Sequence, residues 1–261
     1  VILQKQGKLV EANKAFRKAI KLKPEYKEPY VNLGNSLREQ GQFEKALVTY
    51  RDVLALDPKY IHALTNLGIL LKKTGKINQA ISTFQTALSY NENDPEIYNN
   101  LGNAYLEQGK FKEAEIRYRK AISIKPNYAQ AHNNLAASLE DQNKPEEAVK
   151  AYQEAVKLKP DYSDAYVNLG NILRRRGEKN KAIKAYRNAQ RCDPKNADAH
   201  NSEGNLYLEQ GNTEKGILCY KKALKVDAHH VEAIRQLSLL KSHIAGDPQI
   251  SFVEKLLKSP M

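Results

Sequence analysis

The six residues Tyr30–Asn35 read YVNLGN and return unchanged at Tyr166–Asn171. Variants of the same six stand at Leu64–Ile69, Tyr98–Asn103, His132–Ala137 and His200–Asn205, each 34 residues beyond the one before it. A repeat of that length is one supersecondary unit, too small to bury its own hydrophobic face, so it must stack on a copy of itself. A single central core is excluded, and stability has to come from contacts between neighbours.

Counting Lys27 as position 1, complete units run over 27–60, 61–94, 95–128, 129–162, 163–196 and 197–230. Residues 1–26 correspond to positions 9–34 of a unit that lacks its start, and 231–261 form a degenerate last unit. Within a unit, positions 4, 7, 8 and 11 (Tyr30, Leu33, Gly34 and Leu37 in the first) have the spacing of a buried helical stripe, which predicts a first helix, A. Position 8 is Gly34, Gly68, Gly102, Gly170 and Gly204, with Ala136 once. Glycine inside a helix costs about 1 kcal/mol against alanine, so its return implies the close approach of a neighbouring helix.

Position 15 is glycine in six units and Asn143 in the other, residues that tolerate the left-handed conformation ending a helix. A second helix, B, follows. It has a small residue at position 20 (Ala46, Ala80, Ala114) and an aromatic at position 24 in every unit, from Phe16 to Tyr220. Proline at position 32 (Pro24, Pro58, Pro126, Pro160, Pro194) stops helix B. Where the third complete unit lacks it, Asp94-Pro95 predicts an N-cap and first turn for the next helix A.

This pattern, with Leu at 7, Gly or Ala at 8, Ala at 20, Phe or Tyr at 24, Ala at 27 and Pro at 32, resembles the tetratricopeptide repeat over residues 1–230. The resemblance implies an all-α fold: antiparallel helix pairs stacked into a right-handed solenoid, with the A helices lining a concave groove. After the repeats, Val231–Ile244 reads as one more helix A and Ser251–Lys258 as a short following helix. The run from Ser242 to Leu257 is similar to the junction that leads into the catalytic domain of bacterial tetratricopeptide-containing sulfotransferases; a generic capping helix is the competing reading.

Catalytic signatures are missing. There is no HExxH, GxGxxG or GxSxG, and the Gly-Lys pairs at Gly7, Gly75 and Gly109 precede Leu, Ile and Phe rather than Ser or Thr. His229-His230 falls in a loop without a second ligand cluster, so neither a metal nor a cofactor is expected. His132 and His200 occupy packing position 4, and Cys192 and Cys219 read as small core residues. Two cysteines make no disulfide framework, and no apolar run reaches the roughly 18 residues of a membrane span, so a cytoplasmic location is the expectation. The chain lacks an initial Met, which implies a piece of a longer protein.

The candidate site lies on the side of helix A that the core stripe leaves over, at positions 2, 6, 9 and 13. Position 6 is Asn32, Asn66, Asn100, Asn134 and Asn168; position 9 is Asn35, Asn103, Asn171 and Asn205, with Ile69 and Ala137 between. Asparagine is a mediocre helix former, and position 5, beside it, has drifted (Val31, Thr65, Asn99, Asn133). One amide can pair with both the N–H and the C=O of a peptide backbone whatever its side chains. A row of them is thus a means of holding an extended chain, and O-GlcNAc transferases carry a similar asparagine row at the position matching Asn32, Asn66, Asn100, Asn134 and Asn168.

The same stripe is acidic. Positions 2 and 13 carry Glu28, Glu96, Asp164, Asp198, Glu39, Glu107, Asp141 and Glu209 against Lys73 and Arg175, on a chain of net charge +12. The excess bases lie on helix B and the loops, where helix-dipole matching accounts for many of them without nucleic acid. The sequence therefore points to a non-catalytic scaffold that grips an extended, neutral to basic peptide or protein segment. The alternative is the recruiting arm of a larger transferase, for sulfate or sugar, whose catalytic domain lies outside this chain.

Overall fold

The computed structural model describes residues 6–244, with side chains through residue 240. Among them are fourteen α-helices and no strand. The chain divides into two units, one ending at Pro126 and one beginning at Asn127. The first holds α1 (Leu9–Leu22), α2 (Lys27–Glu39), α3 (Phe43–Leu56), α4 (Ile61–Lys73), α5 (Ile77–Tyr90), α6 (Pro95–Glu107) and α7 (Phe111–Ile124). The second holds α8 (Ala129–Asp141), α9 (Pro145–Leu158), α10 (Ser163–Arg175), α11 (Lys179–Cys192), α12 (Ala197–Glu209), α13 (Thr213–Val226) and α14 (Val231–Ile244). The short helix expected over Ser251–Lys258, and most of the run from Ser242 to Leu257, lie outside the described residues.

Each A helix ends in a tight turn that sends the chain straight back as helix B. After α2, Gly41 sits at φ +73°. Its N–H bonds to the Arg38 carbonyl at 3.1 Å, and the Gln42 N–H reaches back to Leu37 at 2.9 Å. These two bonds satisfy carbonyls that a helix end would otherwise leave unpaired. Asn143 does the same at φ +58°, the one non-glycine residue in that region among those described. At the start of α6, the Asp94 carboxylate accepts from the Glu96 and Ile97 N–H groups at 2.9 and 3.2 Å, the cap that the sequence led us to expect.

The aromatic at position 24 is the centre of each pair. Tyr50, Phe84, Tyr118, Tyr186 and Tyr220 are fully buried. A methyl added at Gly102 would lie 2.6 Å from the Tyr118 ring, so the position-8 glycine is set by this ring rather than by a neighbouring backbone. Pairs join through smaller clusters that each span an A helix, its B helix and the next A. Val31, Val53 and Ala63 form one in the first unit; Val167, Ala189 and Ala199 form another in the second. Position 5 enters these joints as Val31 and Val167, and Asn99, Asn133 and Asn201 at the same position are buried as well. Its sequence variation is that of a buried packing position and not of a solvated one.

Candidate peptide-binding face

The five position-6 asparagines project from A helices: Asn32, Asn66 and Asn100 from α2, α4 and α6 in the first unit, Asn134 and Asn168 from α8 and α10 in the second. All five are half-buried rather than exposed. The helical wheel of an isolated helix misses this because a helix in the array also has the next helix A on its flank.

The surroundings of the five differ. Asn66 Nδ2 donates to the His62 carbonyl one turn back at 2.7 Å. Asn168 Nδ2 donates at 3.1 Å to Oδ1 of the buried Asn133, whose own amide donates to Asn134 Oδ1 at 3.3 Å. Asn66 and Asn168 therefore keep their carbonyl oxygens and one amide hydrogen for a ligand.

The position-9 asparagines have a structural duty that the sequence reading did not give them. Tyr50 Oη donates to Asn35 Oδ1 at 2.7 Å, Tyr118 to Asn103 at 2.7 Å, Tyr186 to Asn171 at 2.9 Å and Tyr220 to Asn205 at 2.7 Å. A buried hydroxyl needs an acceptor, and these amides supply it. The signal was present in the sequence: Ile69 faces the one position-24 phenylalanine among the complete units, Phe84, while Ala137 opposite Tyr152 is the exception. The carbonyl oxygens of Asn35, Asn103, Asn171 and Asn205 thus each accept from a tyrosine.

Acids flank the amides, but not all remain to attract a cation. Lys72 pairs with Glu107, Arg174 stands 3.7 Å from Glu209, and Arg175 pairs with Glu140. Two of the four position-13 acids, Glu107 and Glu209, are therefore balanced by position 12 of the preceding repeat, while in the Arg175–Glu140 pair the base is at position 13 and the acid at position 12. Position 2 keeps more of its charge. Asp164 Oδ1 accepts from Asn196 Nδ2 at 3.2 Å, and Asp198 Oδ1 lies 3.0 Å from His230 Nε2. Between α10 and α12 these groups bound a pocket of about 340 Å³ lined by Asp164, Asn168, Asn171, Asn196, Asp198 and Ser202. It brings a position-6 amide, a position-9 amide and two carboxylates to one place.

The remaining candidates fall out as structural. Cys219 is buried, and burial pushes its thiol up to about 12. Cys192 is only half-buried, against the expectation of a core residue, and its Sγ donates to the Pro160 carbonyl at 3.1 Å. His230 caps α14 by accepting the Ala233 N–H at 3.1 Å. Among the described residues no group of His, Cys, Asp or Glu could hold a metal, and no helix is long and apolar enough to cross a membrane.

Comparison with known families and structures gives a consistent result. Models of the tetratricopeptide repeat match residues 15–48, 133–197 and 197–230, and a TPR repeat model matches 34–75, 70–109 and 102–143. No curated protein matches the sequence. Among solved structures, the chain is similar to one in the APC/C hetero-tetramer Cut9–Hcn1, with TM-score 0.75, 17% identity and 89% of this chain covered. It spans only 46% of that protein's length. It is also similar to a tetratricopeptide repeat protein from Parabacteroides merdae (TM-score 0.70, 21% identity, 90% of this chain and 92% of that one). A third is PilF of Pseudomonas aeruginosa (TM-score 0.69, 19% identity, 81% and 96%). At these identities the likeness is one of fold.

Proposed function

This chain belongs to the tetratricopeptide repeat family, and from that premise we propose that it is a non-catalytic scaffold holding an extended peptide or protein segment. Asn32, Asn66, Asn100, Asn134 and Asn168 pair with the backbone of the bound segment. Asn35, Asn171 and Asn205 add amide donors while their carbonyls hold the tyrosines. The position-2 acids favour a neutral to basic partner over an acidic one.

The observation that carries this reading is the pocket between α10 and α12, where Asn168 and Asn171 stand beside Asp164 and Asp198. Amides that can serve a peptide backbone and carboxylates that can receive a basic side chain occur there together. A selection from a random peptide library tests it. Selected peptides should be rich in Lys and Arg. Replacing Asp164→Asn and Asp198→Asn together should weaken them about two- to thirty-fold, at ~0.2–1 kcal/mol for each exposed charge pair. Added salt should shrink that difference. Selection of acidic peptides, or no saturable binding, would count against the proposal.

A further inference from the structure

At one joint of the second unit the repeat pattern breaks twice. Position 7 is Leu33, Leu67, Leu101, Leu135 and Leu169, then Glu203. Position 28 is Leu54, Leu88, Ile122 and Val156, then Gln190. The two exceptions touch: Gln190 Nε2, from α11, donates to Glu203 Oε2, on α12, at 2.7 Å. Arg187 Nε donates to the other oxygen of Glu203 at 3.2 Å, and its Nη2 donates to Tyr207 Oη at 2.9 Å. Glu203 is only 6% exposed. A carboxylate and an amide thus stand where the other joints place two aliphatic side chains, which forfeits apolar burial. Local departures of that kind are expected at functional sites.

Above this polar floor opens a cleft of about 440 Å³ between α11 and α13. It shares no lining residue with the asparagine pocket. Glu203 has each oxygen hydrogen-bonded, one of them to Arg187, and so orients that guanidinium. The remaining charged lining is cationic: Arg187, Arg191, Lys215 and Lys222. Lys215 Nζ lies 5.5 Å from the centre of the Tyr207 ring. Four bases against one acid, which pairs with Arg187, leave an excess of three positive charges in a concave site that suits an anion with several oxygens. An arginine held in a fixed plane is suited to a phosphate fork, and lysines to its charge. The volume fits a small molecule.

We propose that the cleft between α11, α12 and α13 binds a phosphorylated small molecule through Arg187, Arg191, Lys215 and Lys222. This site is independent of the peptide-binding face. The test is titration of the whole chain with inorganic pyrophosphate at fixed ionic strength. The rim variant Arg191→Gln/Lys215→Gln/Lys222→Gln removes exposed side chains and should leave thermal unfolding unchanged. It should weaken pyrophosphate by about tenfold or more, as expected for loss of charge-assisted hydrogen bonds. A control with the same change in net charge, Lys45→Gln/Lys112→Gln/Lys120→Gln on α3 and α7, should stay within about twofold of the parent. Equal weakening in both variants would overturn the site in favour of diffuse attraction to a basic protein. So would an absence of saturable binding, or a hexaglutamate peptide that binds as tightly as pyrophosphate.

Discussion

A tyrosine hydroxyl buried between two helices must find an acceptor, and four helix pairs supply an asparagine for it. The pair built on Phe84 has Ile69 instead, so the chain contains its own control. Removing the acceptor alone, Asn103→Ile, strands the Tyr118 hydroxyl and should cost about 1–3 kcal/mol. Tyr118→Phe alone leaves a half-buried amide that water can reach, and should cost about 0.5–1.5 kcal/mol. The double change Tyr118→Phe/Asn103→Ile recreates the Phe84–Ile69 pair and should return to within ~1 kcal/mol of the parent, a strong positive coupling. Urea denaturation of the four proteins measures it, and simple additivity would show that the bond does not organise the pair. The recurring asparagine itself was plain in the sequence. Its partner was not, because the helical pattern shows which residues share a face and not which side chain of the next helix reaches them.

At the scale of the element, spacing alone placed the helices and their stops. It foresaw the left-handed turn at Asn143 and the cap at Asp94, since both depend on residues next to each other in the chain. It failed for position 5 and for the exposure of position 6, which depend on a third helix packed against the flank. Burial also gives helix B a shared titration. It pushes the Tyr50 and Tyr186 hydroxyls up to about 12, and raises those of Tyr118, Tyr152 and Tyr220 as well. In the unfolded chain tyrosine ionises near pH 10. A raised folded value means that the neutral form is favoured by folding. The stability is therefore complete below about pH 10 and declines as pH rises through 12. We predict unfolding by circular dichroism above about pH 10, with tyrosinate absorbance rising in step. Titration of all fifteen tyrosines near pH 10 with the helices intact would contradict the burial described for these rings.

At the scale of the whole molecule, a net charge of +12 conceals an opposite sign beside the asparagines. Composition would direct attention to an acidic partner, whereas the proposed function, resting on the position-2 acids, has a basic one. In the proposed function, position 6 supplies the main hold on the partner, while position 9 has the second duty of securing the buried tyrosines. The direct measurement is the affinity of a selected peptide for the variant Asn32→Ala/Asn66→Ala/Asn100→Ala, read beside its urea midpoint. Each lost backbone pairing is worth ~0.5–1.5 kcal/mol. If the three roughly add, binding should weaken by about two to three orders of magnitude, while the urea midpoint stays that of the parent. A folded triple variant that binds with unchanged affinity would contradict the account and leave the position-6 asparagines without a role in binding.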